Sequence, residues 1–343
     1  MKNKVFMVLL ALTVFLASCE NPAASPEYYG SAGKFVAIAS GSGHTAWSED
    51  GKTWTSGGRL PAEPAEDGGV QGVSWKSIAY GRGKLAAVSY GTEAKSAWSA
   101  DGLSWTESAL PGTMKSFQDI VYGNGKFVAV TLTAGAGDRA AYSADGGLTW
   151  TASSSLSPGS WYSVAYGNGT FVAVDGSTDK KTAWSADGAT WTEGQTLPIG
   201  AAGYWKTVVY GNGKFIAFSN TADITYSTDN GASWSARVTG GESGLLSDIS
   251  EAAYGGRRFV AVFGDSSASN KAAWSEDGLA WAVVDLPVST YWTGVAYGKE
   301  VFVAVARGTA AWSKDGKVWA AAEGLPDLQG GASWDALTFV EAY

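Results

Sequence analysis

The chain has 343 residues, 45% of them hydrophobic, with 17 Trp, 15 Tyr and 46 Gly, a mix that suits short aromatic-rich strands joined by tight glycine turns. One Cys and one His exclude an intrachain disulfide and any zinc site built from His and Cys. The formal charge of −8 disfavours nucleic acid as a partner of the body.

Residues 1–18 read as a processing signal. Lys2 and Lys4 give a basic start, and 5–16 is an apolar run too short to span a bilayer comfortably. Leu16-Ala17-Ser18-Cys19 follows and resembles the bacterial lipobox. The resemblance implies a membrane anchor of palmitate-type acyl chains on Cys19, the new N-terminus, and a place in a bacterial cell envelope. With Glu20 next, it implies the outer membrane or cell surface. Removal of 1–18 takes Lys2 and Lys4 with it, moving the formal charge from −8 to −10, so the lipid alone is expected to make the membrane link. Residues 19–27, with Pro22 and Pro26, read as a tether, and 28–343 as the folded body.

In that body one unit recurs. A Ser-x-Asp-Gly-x-x-Trp-like segment fills 48–54, 99–105, 143–150, 185–191, 227–234, 275–281 and 313–319. Upstream lies a second signature, as in Trp75-Lys-Ser-Ile-Ala-Tyr80, then Gly81-Arg-Gly83, then Lys84-Leu-Ala-Ala-Val88; its relatives begin at Phe117, Trp161, Trp205, Ile249 and Trp292. Two β-rich runs across an Asn-Gly-type turn predict a hairpin. Each unit therefore predicts four short strands, the last often ending in Leu-Pro, as at Leu60-Pro61, Leu197-Pro198 and Leu286-Pro287. The first unit lacks an opening strand, and 334–339 matches that strand with nothing after it. The expectation is an all-β, seven-bladed β-propeller, four antiparallel strands per blade, in which 334–339 completes the first blade.

The Ser-x-Asp element resembles the Asp box, or BNR repeat, of sialidases, other glycosidases, sortilin-like receptors and photosystem assembly propellers. Segments 143–150 and 227–234 match its full length, and the other five are one residue shorter. The resemblance implies a propeller. The residues themselves point to structural turns. A short carboxylate accepts N–H bonds within its own turn, so Asp50, Asp101, Asp145, Asp187, Asp229, Asp277 and Asp315 are read as turn caps. One acid per motif is too few for calcium's six to eight oxygens, and no metal or cofactor is expected.

Catalytic constellations are poorly supplied. His44, in the Gly-rich run 40–44, reads as a solvated loop residue without a nucleophile signature. The sialidase pattern implies three arginines, a Tyr–Glu pair and an Arg-Ile-Pro segment before the first box. Here the nearest string, Arg59-Leu60-Pro61, follows the first box and aligns with the Leu-Pro strand ends.

Loop lengths point to a ligand face. The two short turns of each unit share one face, and the variable connections, such as 59–74, 131–139 and 194–204, share the other. Where the opening strands meet that face, Lys76, Asp119, Tyr162, Tyr204, Lys206, Glu251, Tyr291 and Asp335 are the candidate ligand contacts. The repeated Trp75, Trp161, Trp205, Trp292 and Trp334 are expected in the core. The sequence thus predicts a monomeric, non-catalytic binding or scaffold lipoprotein recognising a protein or glycan. The alternative is a glycan-active hydrolase, sialidase-like or using two carboxylates near the channel.

Overall fold

Hairpins built on left-handed turns start the six blades that are continuous in sequence. In the computed structural model Asn124, Asn168 and Asn212 have φ of 46–47°, and the glycines after them 75–78°, the pair of positive angles a two-residue turn needs to match the strand twist. Blade 7 makes the same turn with Lys299 and Glu300, at φ 45° and 61°. The structure describes residues 33–341 apart from 65–69, 93, 113, 133–137, 199–202, 237, 240–245, 265–266 and 329–331. Cys19, the leader and the tether lie outside the described residues.

Seven four-stranded antiparallel sheets follow one another around a closed ring. The innermost strands are Ser74–Gly81, Phe117–Gly123, Trp161–Gly167, Trp205–Gly211, Ile249–Gly255, Trp292–Gly298 and Ser333–Val340. Six blades are continuous in sequence. Blade 1 is composite: Ser333–Val340 pairs antiparallel with Lys34–Ser40, joining Lys34 to Val340 and Ser40 to Ser333. This is the closure expected from the sequence, and it leaves neither strand as an open inner edge.

The core lies between blades. Seven apolar clusters each join two neighbouring sheets, and the one sealing the ring packs Val301, Val303 and Val305 of blade 7 against Phe35, Ala37 and Trp334 of blade 1. Trp75, Trp161, Trp205, Trp292 and Trp334 are fully buried, as expected. Burying about 200 Å² for each, at about 25 cal/mol per Å², contributes about 5 kcal/mol per tryptophan. Glycine admits the next blade's ring at the far end of the strand: a Cβ at Gly123, Gly167 or Gly211 would collide with Tyr166, Tyr210 or Tyr254.

The outer strands differ from expectation. Most have two to five residues and stop before Leu-Pro. The leucine instead leaves the sheet for the gap between blades, where Leu60 and Leu197 pack with Trp75 and Trp205. Blade 6 is the exception, its outer strand Ala282–Thr290 running through Leu286-Pro287. A two-stranded ladder, Glu63–Pro64 with Val70–Gln71, was not expected.

Candidate channel-mouth site

Every innermost strand carries an irregularity at one place. Trp161 pairs with Asp175 and Ser163 with Val174, leaving Tyr162 as an extra residue. The same shift leaves Asp335, Lys76, Gln118, Lys206, Ser250 and Thr293 unpaired in the other blades. A β-bulge breaks strict alternation and re-aims a side chain. Successive residues therefore both line the central cavity, which has a volume of about 490 Å³. The bulge residues form one layer, and Ser77, Asp119, Ser163, Thr207, Glu251, Gly294 and Ala336 form the next along the strands.

The inner layer is tied together across blades. Asp119 accepts the hydroxyls of Ser77 and Ser163 at 3.0 and 2.9 Å, and the N–H groups of Ile120 and Val164 at 2.8 and 2.9 Å. One carboxylate thus joins blades 2, 3 and 4, and Ser163 also accepts the Val208 N–H of blade 5 at 3.3 Å. Further round, Glu251 Oε1 accepts the Ala252 N–H at 2.9 Å and the Thr207 hydroxyl at 3.3 Å. Thr293 donates to the Trp334 carbonyl, linking blade 7 to blade 1.

Enclosure sets the electrostatics. Burial pushes Asp119 above the ordinary carboxylate range, against the pull of its four donors. Burial, and secondly the charge of Asp119, push Glu251 up to about 7, with Lys76 opposing. Burial also raises Asp335, opposed by the Ser333 hydroxyl and Lys76. At the mouth, Tyr162 and Tyr204 from adjacent blades bring their rings to 5.4 Å at 40°.

Seven of the eight candidates, Lys76, Asp119, Tyr162, Tyr204, Lys206, Glu251 and Asp335, line this one cavity. Tyr291 is outside it, 45% exposed on the loop face. Sequence reasoning missed Ser77, Ser163, Thr207 and Ser250. A polar residue two places after the large apolar residue that opens the strand, and just before an apolar one, recurs in Ser77, Asp119, Ser163, Thr207 and Glu251, and that was the available signal. Ser250 Oγ is buried without a hydrogen-bond partner.

His44 corrects the reading of a solvated loop residue. It opens the strand His44–Ser48, half-buried, with Nε2 2.7 Å from the Arg59 guanidinium. Burial, then Arg59, hold its pKa below the ordinary value. Arg59 donating to Nε2 assigns the proton to Nδ1, which has no partner. No group of three or more His, Cys, Asp or Glu that could hold a metal is present among the described residues.

The seven Ser-x-Asp turns lie at the opposite end. Each aspartate accepts its own serine hydroxyl and one or two backbone N–H groups of its turn, at 2.8–3.1 Å for the latter. The serine accepts the turn glycine's N–H at 2.8–2.9 Å. At Asp187 the Thr190 N–H, and at Asp229 the Ser233 hydroxyl, lead in holding the pKa down. At the other five, partial burial pushes upward and the turn's donors outweigh it.

No protein-family model matches the chain, and no curated protein matches its sequence. Solved structures share its fold. YCF48 bound to D1 peptide aligns with a TM-score of 0.57 at 16% identity, over 85% of this chain and 89% of that one. A streptogramin B lyase aligns at 0.63 and 13%, over 77% and 86%. The virginiamycin B lyase of Staphylococcus aureus aligns at 0.61 and 12%, over 75% and 85%.

Proposed function

We propose that this protein is a non-catalytic binding or scaffold lipoprotein of a bacterial cell envelope. It recognises a protein or glycan through the loop face and the mouth of the channel, and the Ser-x-Asp repeats serve as Asp-box structural turns. The observation that carries this reading is the state of Asp119. Its carboxylate is consumed by four donors from three blades, so this enclosed acid of the channel acts as a cross-link between blades. The bulge layer beside it presents varied side chains, six residue types from seven blades, which suits recognition. Support also comes from the peptide-bound propeller YCF48, whose fold this chain shares.

One observation favours the hydrolase alternative. Glu251, held near 7, has the protonation behaviour of a general acid. A glycan and peptide array probed with residues 19–343 separates the two, scoring retention and cleavage together. Retention without cleavage, weakened by Tyr204→Ala, is the expected result. Cleavage abolished by Glu251→Gln would replace the binding reading with the enzymatic one.

A further inference from the structure

The two faces of the ring differ in where the chain enters and in how charge is shared. Lys34 opens the second strand of blade 1 at its turn-face end, paired with Val340. The chain preceding Gly33 therefore joins the fold at that face. Thirteen residues separate Cys19 from Gly33, at most about 50 Å of chain.

Charge divides the same way. The seven Ser-x-Asp turns and the hairpin turns 81–84, 123–126, 167–170, 211–214, 255–258 and 298–301 together hold ten Lys/Arg and ten Asp/Glu. The rest of the body, from residue 28 on, holds twelve and twenty. The whole deficit of eight thus falls on loops, channel and strand flanks. The turn aspartates are folded onto their own N–H groups. Three turns raise apolar side chains into solvent, Leu103, Leu148 and Val318, the last 76% exposed.

We propose that the turn face is the face this protein lays against a phospholipid surface, with the acidic loop face and channel mouth presented away from it. This rests on the reading of Cys19 as a lipid anchor. An anionic bilayer repels the loop face and leaves the neutral turn face unopposed. Inner strands of seven or eight residues, at about 3.3 Å each, set the faces about 25 Å apart. That is about three Debye lengths at physiological salt, so the acidic face is screened from the lipid in this orientation and exposed to it in the other. The apolar tips add contact area, and the acyl chains supply most of the affinity.

Single-cysteine labels test the orientation, because an acylated Cys19 takes no thiol reagent. Val318→Cys marks the turn face and Tyr90→Cys, at a residue 46% exposed, marks the end of a strand on the loop face. The lipidated protein is bound to phosphatidylcholine–phosphatidylglycerol vesicles containing lipid with a nitroxide headgroup. The label at 318 is expected to be quenched severalfold more strongly than the label at 90. Equal quenching, or stronger quenching at 90, overturns the proposal. A second preparation, residues 20–343 with an N-terminal hexahistidine tag on nickel-chelating lipid, holds the same tether without acylation and reads the same two labels. Failure of the untagged protein to sediment with vesicles, or full retention of Cys19→Ala, overturns the anchor reading alone. The tagged preparation then still decides the face.

Discussion

Two backbone devices repeat seven times in this ring, and they have opposite chemical histories. At the turn face, each blade solves the same problem with the same side chains: a serine, an aspartate and a glycine satisfy the turn's own polar groups. At the channel mouth, each blade makes the same bulge but fills it differently, with Asp335, Lys76, Gln118, Tyr162, Lys206, Ser250 and Thr293. Where chemistry repeats along with geometry, the residues serve the scaffold. Where geometry repeats and chemistry varies, the scaffold has left the residues available for recognition.

The strongest way to break this comparison is to remove what both regions depend on. Truncation at residue 332 deletes the innermost strand of blade 1, its Trp334 and one wall of the channel. It is expected to lower the melting temperature sharply, and an unchanged melt by calorimetry would sink the closure account. Asp119→Ala comes next. It orphans two hydroxyls and two N–H groups in a narrow channel, with an expected loss of about 3 kcal/mol by urea denaturation. A single turn substitution, Asp187→Ala, is expected to cost only about 1 kcal/mol, since the two N–H groups it leaves are exposed to water. Smallest is Glu300→Gly. Relief of a left-handed non-glycine residue is expected to stabilise the fold by about 1 kcal/mol or less.

pH separates the regions by sign. The turn aspartates are held below their ordinary value, so their contribution is present above that value and is lost as pH falls through the folded pKa. Glu251 does the reverse. The unfolded chain ionises near 4.5 and the folded chain near 7, so stability falls as pH rises between those values. Denaturation midpoints are expected to be higher at pH 5 than at pH 8, and Glu251→Gln is expected to flatten that slope. An unchanged slope in the variant would remove Glu251 from the account.

Much of the fold was legible because its signals are local. The Asn-Gly turns, the Ser-x-Asp caps and the aromatic near the start of six of the seven inner strands all act within a few residues, and ring closure followed from matching 334–339 to 75–80. The outer strands were overread, because Leu60 and its counterparts leave the sheet to fill gaps that only neighbouring blades create. The channel site was half legible. Its polar residues were visible, but the bulge that turns two successive positions inward depends on cross-strand register. Asp119 and Lys76 were therefore read as equivalent positions, although one is a cross-link and the other a bulge residue. His44 was misread because its partner, Arg59, lies one strand away.

The most direct test of the division between turn and channel reads folding and binding on the same variants. Asp187→Ala, Tyr204→Ala and Lys206→Ala are melted and then applied to one glycan and peptide array. The account expects Asp187→Ala to melt earlier with an unchanged retention profile, and the two channel variants to melt as the parent does with retention lost. A turn variant that loses retention while both channel variants keep it would contradict the account.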